Sequence, residues 1–169
     1  DLGTRVRGPG PGPGDPGPRT RARGTPVEGF SEWSVLEKLL HLMRSTQGLQ
    51  DRFGPERVFN TPLSEDAMTG VAIGAAMAGM RPIHVHIRMD FLLLCMNQLI
   101  NIAAKSSYMY GGNTSVPLVV RSMIGKSWGQ GAQHSQALHS LFMHIPGLKV
   151  VAPSNAHDAK GCMTAAIRD

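Results

Sequence analysis

This 169-residue chain has few aromatic residues, only two cysteines and no long apolar run. Cys95 and Cys162 stand in apolar helical patterns without metal-ligand or redox spacing, so they read as buried thiols of an intracellular protein. The longest uninterrupted apolar run, Phe91 to Met96, is far too short to cross a bilayer. Aromatics make up 5% of the residues and no RNA-binding motif accompanies them, which argues against a nucleic-acid binder despite a net charge of +5. Most of that charge is local. Residues 1–26 hold five arginines against Asp1 and Asp15, a net +3, which leaves +2 for the rest. A high pI owed mainly to one end says little about the folded part.

That end is low-complexity, with seven glycines and six prolines in residues 1–26. Such a stretch buries no apolar area and is expected to be a disordered arm. It lacks the apolar core of a secretory signal, and its glycine and proline prevent the amphipathic helix of a transit peptide. A chain opening on Asp1 and this arm reads as a fragment, or as a mis-started or frame-shifted translation. Residues 27–44 form a divergent linker with a short amphipathic helix over 31–43, where Ser34 and Glu37 make a capping-box pair. The regular part, one domain by its length, spans 45–169.

There, short apolar strands alternate with helices. Strands are expected at Val58–Phe59, Ile83–Ile87, Leu118–Arg121 and Leu148–Ala152. Helices are expected over Asp66–Ala78, over Asp90–Lys105 with Asp90 as N-cap, over Ser135–Met143, and from near Asn155 onward. The pattern implies an α/β fold, an open parallel sheet with helices on both faces. Ligands of such sheets bind beyond the carboxyl ends of the strands. Glu65, Phe91 and the glycine-rich loop carrying His134 each follow one strand, so all three fall on that edge.

Each has a bland reading. Ser64 suits a helix cap, with Glu65 and Asp66 complementing the helix's positive end. Phe91 suits a core or staple position, and a lone loop histidine such as His134 is commonly solvated. His84 and His86, two apart on one strand face, have a spacing that suits zinc, although no further ligand is evident. The helix behind Glu65 is built from Gly70, Ala72, Gly74, Ala75, Ala76, Ala78 and Gly79, which permits close approach of another backbone or subunit.

Thr61-Pro-Leu-Ser-Glu65, Tyr108-Met-Tyr-Gly-Gly112 and Ala132-Gln-His-Ser-Gln136 resemble the β subunit of the thiamine-diphosphate-dependent 2-oxo acid dehydrogenase component, closest to the pyruvate type. Gly48–Pro55 and His144–Val151 resemble its scaffold. The resemblance implies a transketolase-like pyrimidine-binding domain, incomplete here, with the second domain of the family absent. It also implies that Glu65 hydrogen-bonds the cofactor's pyrimidine nitrogen, from an apolar pocket that favours the protonated carboxyl. Phe91 would pack against the pyrimidine ring. His134, helped by Gln133 and Ser135, would border the substrate and assist acyl transfer to a lipoyl carrier.

The family further implies thiamine diphosphate shared with an α subunit that binds Mg2+, since no magnesium motif stands in this chain, so the chain alone is expected to bind the cofactor weakly and to be inactive. A monovalent cation (K+) would be held by backbone carbonyls at Leu118, Ala166, Ile167 and Asp169. The implied partners are the α subunit in a heterotetramer of two α and two β chains, a lipoyl acyltransferase core and a 2-oxo acid, with no nucleic acid or membrane. Bacterial cytoplasm is the expected location, the mitochondrial matrix the alternative. The family departs from this chain before residue 45, where its Gly-Glu-Asp strand is missing, and at His84, His86 and Arg88. An acetoin dehydrogenase-type β subunit, another transketolase-like enzyme and a non-catalytic fragment that pairs with α subunits remain alternatives.

Overall fold

The computed structural model describes residues 46–125 and 131–169. The arm, the linker helix with its capping box, and loop residues 126–130 lie outside the described residues. The elements, in chain order, are α1 (Leu49–Phe53), α2 (Glu65–Met77), β1 (Ile83–His86), a helical stretch from Met89 to Met109, β2 (Val119–Ser122), α4 (His139–Met143) and α5 (Ala156–Arg168). The helical stretch opens as a 3-10 helix (Met89–Cys95), passes through a π segment (Gln98–Ala103) and ends as α3 (Ala104–Met109).

The fold is α/β and its sheet is parallel: β1 pairs with β2 in the register Ile83 to Val119 through His86 to Ser122. Paired residues share a face, so His84, His86, Val120 and Ser122 look to one side. On that side lies the core of Met89, Leu92, Cys95, Leu99 and Phe142, with Val120, Leu148 and Val150 packed against it. Leu92, Cys95 and Leu99 recur at helical spacing, which turns one stripe of the stretch inward. Burying each large side chain contributes roughly 1.5–3 kcal/mol. The opposite sheet face, Ile83 and Val85, stays open.

Helix α2 begins and ends within a residue of expectation and buries Thr69, Ile73 and Ala76. Its small residues matter where it crosses the helical stretch. A Cβ on Gly70 would sit 3.6 Å from the Gln98 side chain, and Thr69 and Cys95 are both fully buried. Gly147 has a φ of 101°, and a Cβ there would overlap the Ala104 carbonyl. Only glycine lets this turn lie so close to α3, where Lys105 Nζ also donates to the Pro146 carbonyl at 3.2 Å.

Four local expectations are corrected. Val58–Phe59 is not a strand, because the Val58 amide donates to the Gly54 carbonyl and its own carbonyl accepts from Gln50 Nε2, which uses both groups locally. Leu148–Ala152 runs without pairing in the described sheet and serves the core through alternate side chains. Helix α4 starts at His139 rather than at Ser135. Asp90 is not an N-cap: Arg88 takes that position in extended conformation, and the Asp90 carboxylate turns elsewhere. Asn155 does cap α5, its side chain accepting from the Asp158 amide at 2.9 Å.

Candidate functional site

The two strands end side by side, and a backbone bond from the Met89 amide to the Met123 carbonyl, 2.9 Å, carries their pairing past the sheet. The segments that leave this edge bring two expected site residues together. Phe91, in the first turn after β1, meets His134, in the loop after β2, edge to face with ring centroids 5.2 Å apart. Both are half-buried. Aromatic pairs favour this geometry because a ring's positive edge meets the negative face of its neighbour.

The glycine-rich loop is closed at its base. The Gly125 amide, at a φ of 86°, donates to the Gln136 carbonyl at 3.3 Å. Gln136 is itself held by Asp90, whose Oδ1 accepts from the Gln136 amide at 3.2 Å and from its Nε2 at 2.8 Å. Asp90 is 6% exposed, and its Oδ2 is buried without a hydrogen-bond partner among the described residues. Sequence reasoning missed this pair. Its only trace is that each partner stands within two residues of a site residue, Asp90 beside Phe91 and Gln136 beyond His134. Ser135 is half-buried with its Oγ unpartnered, and Gln133 is exposed.

Glu65 is the first residue of α2 and half-buried. Ser64 takes the N-cap position without a side-chain hydrogen bond, whereas Glu65 and Asp66 do stand in the first turn at the helix's positive end. Among the described residues the Glu65 carboxylate enters no ion pair. It does reach the electrostatic surroundings of Cys95. Burial pushes the Cys95 thiol up; the Thr69 hydroxyl opposes this, and the Asp66 and Glu65 carboxylates add to it. No hydrogen bond or ion pair joins Glu65 to His134 among the described residues.

His84 and His86 stack edge to face at 4.4 Å between centroids. Burial lowers the pKa of His84, and burial followed by repulsion from His84 lowers that of His86 to about 4. Both rings are therefore neutral near pH 7, and each Nε2 is buried without a hydrogen-bond partner among the described residues. Among the described residues no group of three His, Cys, Asp or Glu side chains is placed to hold a metal ion.

The four carbonyl positions considered for a monovalent cation lie at the other end of the strands. Leu118 precedes β2, where the Val119 amide bonds the Pro82 carbonyl at 3.1 Å. Next to Pro82, Arg81 Nη1 donates to the carbonyls of Ile167 at 2.8 Å and Asp169 at 3.4 Å. Lys149 Nζ bonds the Asp169 carboxylate at 2.6 Å. Arg81 thus already serves two of the four backbone oxygens and Lys149 the Asp169 side chain, while Ala166 is exposed on α5.

The family model for the transketolase pyrimidine-binding domain matches residues 42–169. Over 124 residues, 73% of this chain, it is 52% identical to the acetoin:2,6-dichlorophenolindophenol oxidoreductase subunit beta of Cupriavidus necator, covering 36% of that protein. It is 48% identical to the mitochondrial pyruvate dehydrogenase E1 component subunit beta-2 of Oryza sativa subsp. japonica, over 73% of this chain and 33% of the relative. It is likewise 48% identical to the pyruvate dehydrogenase E1 component subunit beta of Rickettsia conorii, over 73% of this chain and 38% of the relative. The chain therefore spans about a third of the length of these relatives. No helix among the described residues is long and apolar enough to cross a membrane.

Proposed function

Because this chain belongs to the transketolase pyrimidine-binding-domain family, we propose that it is the pyrimidine-binding part of a 2-oxo acid dehydrogenase β subunit of the pyruvate type. The reaction is the oxidative decarboxylation of a 2-oxo acid. The bond between its first two carbons breaks and carbon dioxide leaves. The acyl carbon passes to one sulfur of a lipoyl disulfide, and the other sulfur is reduced and takes a proton. The observation that carries the proposal is the Phe91–His134 contact at the carboxyl edge of a parallel sheet, where such sheets place their ligands.

The residues present fit thiamine diphosphate. Phe91 offers a half-buried aromatic ring, and Glu65 offers a half-buried carboxylate that no described ion pair occupies. When bound, the cofactor supplies the electron sink for the carbon–carbon bond that breaks. Glu65 would hold a proton on the pyrimidine nitrogen, and Phe91 would fix the plane of that ring. His134 would give a proton to the departing lipoyl sulfur, a task suited to an imidazole near neutrality. Gln133 and Ser135 flank it at the substrate side.

The α subunit would complete the cofactor site with Mg2+, in a heterotetramer of two α and two β chains docked on a lipoyl acyltransferase core. A K+ ion at Leu118, Ala166, Ile167 and Asp169 would act on the fold, because that edge is opposite Phe91 and His134. The compartment assigned is bacterial cytoplasm, with the mitochondrial matrix as the alternative. The relative from Cupriavidus necator favours acetoin as a second substrate class.

The assembled enzyme is expected to acylate a lipoyl domain from pyruvate, and Glu65→Gln to abolish this while leaving the complex intact. An assembled wild-type enzyme that acylates no lipoyl domain from any 2-oxo acid or from acetoin overturns the reading.

A further inference from the structure

Of the two residues that meet at the carboxyl edge, neither sets its own position. Phe91 stands in the first turn of the helical stretch, whereas His134 stands in a loop: among the described residues its amide donates to the Gly131 carbonyl at 3.2 Å, and the loop base closes from Gly125 to Gln136 at 3.3 Å. Among the described residues, the hydrogen bonds that tie this loop to the element carrying Phe91 come from one carboxylate. Asp90 spends a single oxygen on both donors of Gln136, at 3.2 and 2.8 Å, across 46 residues of sequence. It does so from a position 6% exposed, where low local dielectric makes a hydrogen bond electrostatically stronger than it would be in water. The carboxylate gives up the helix cap that its place in the sequence offers, and the turn it leaves uncapped winds as a 3-10 helix.

We propose that Asp90 is the positioning residue of this site: by holding Gln136 it presents His134 to Phe91 and sets the direction of the imidazole. The proposal rests on the functional reading above only for the step it would affect. Its geometry is independent of that reading. In this proposal Asp90 acts through Gln136, the group its carboxylate is bonded to. If it orients His134, its loss should depress the step that uses His134, acyl transfer to the lipoyl sulfur, more than the steps before it. Those earlier steps are read separately when an artificial dye, 2,6-dichlorophenolindophenol, accepts the two electrons in place of the lipoyl disulfide.

The test uses the assembled enzyme with Asp90→Ala, Asp90→Asn and Gln136→Ala. Two quantities are measured: the ratio of lipoyl-domain acylation to dye-linked oxidation, and the rate at which diethyl pyrocarbonate modifies His134, followed by peptide mass spectrometry. Asp90→Ala removes both bonds and should lower the ratio by about tenfold, with His134 modified several-fold faster. Gln136→Ala keeps the bond to its own amide and should fall between. Asp90→Asn keeps an acceptor at the same place and should restore most of the ratio. The double variant Asp90→Ala/Gln136→Ala should be no worse than Asp90→Ala alone, because one contact is being removed twice.

Should Asp90→Ala fail to fold, Asp90→Asn and Gln136→Ala still decide the matter. Acylation and dye oxidation falling in parallel, with His134 modified at the wild-type rate, overturns the proposal, as does an unchanged ratio in all three variants. If the wild-type enzyme acylates nothing yet His134 modification still follows Asp90, the functional reading fails and the positioning stands.

Discussion

Phe91 and His134, 43 positions apart in sequence, meet edge to face at 5.2 Å between ring centroids. The contact gives each ring an orientation that neither segment would impose alone. An edge-to-face pair contributes about 0.5–1.5 kcal/mol beyond the area it buries. Phe91→Ala is therefore expected to raise the thiamine diphosphate concentration for half-maximal activity of the assembled enzyme by at least several-fold, with Phe91→Tyr close to wild type. Equal half-saturation in Phe91→Ala would remove Phe91 from the cofactor site.

Glu65→Gln keeps the size of the side chain and loses its proton chemistry. Residues that move protons in the transition state contribute typically about 100- to 10,000-fold. We expect a loss of turnover in that range with circular dichroism and subunit assembly unchanged. A loss below tenfold would make Glu65 a helix-end charge and nothing more.

The paired histidines predict an acid limit. The pKa of His86 is depressed to about 4 and that of His84 is also lowered, both chiefly by burial. Between the unfolded value of 6.5 and about 4 the unfolded chain binds protons that the folded one refuses, so stability falls as pH drops through this window. For His86 alone the loss approaches about 3 kcal/mol at the lower end. Urea midpoints at pH 7.5 and pH 5 should show it, and His86→Phe, which cannot charge, should flatten the slope. A slope unchanged in that variant would assign the acid sensitivity to other groups.

How much of this was legible in the sequence depends on the range of the interactions. Helix α2, the opening of α5 near Asn155 and the parallel β1–β2 pair follow from local periodicity and from the alternation of strands with helices, and they appear within a residue or so of expectation. The segments at Val58 and Leu148 misled because an extended apolar run becomes a strand only when a neighbour accepts its ladder. Asp90 misled for a related reason. Its surroundings in sequence describe a cap, whereas its partner lies 46 residues away. Phe91 and His134 follow strands that form and meet where those strands end, whereas the strand expected before Glu65 does not form, so its place on that edge rests on the motif alone.

Gly147→Ala is expected to be severe. Its φ of 101° alone costs a non-glycine residue about 1–3 kcal/mol, and the added methyl would press on the Ala104 carbonyl. Gly161→Ala, in helix α5 with open space around it, should be neutral or mildly stabilising. The difference in melting temperature between the two variants checks both statements; similar melting points would refute the close packing of this turn.

Thiol reactivity separates the two cysteines. Cys95 is fully buried with its pKa raised by that burial, whereas Cys162 is half-buried on α5. Titration of the folded protein with a thiol reagent should release about one equivalent quickly, from Cys162, and the second only on unfolding. Fast reaction at both would show that α2 lifts from the helical stretch in the native state.

The span of the Asp90–Gln136 bond also bears on how this protein comes to be built. Contacts distant in sequence form late, because the chain between them must first be ordered. Helix α2 and its Glu65 can appear from local interactions alone, whereas His134 acquires its orientation only after β1 and β2 have paired. During synthesis the carboxylate and aromatic ring would wait for the imidazole, and on partial unfolding the imidazole would be the first to leave.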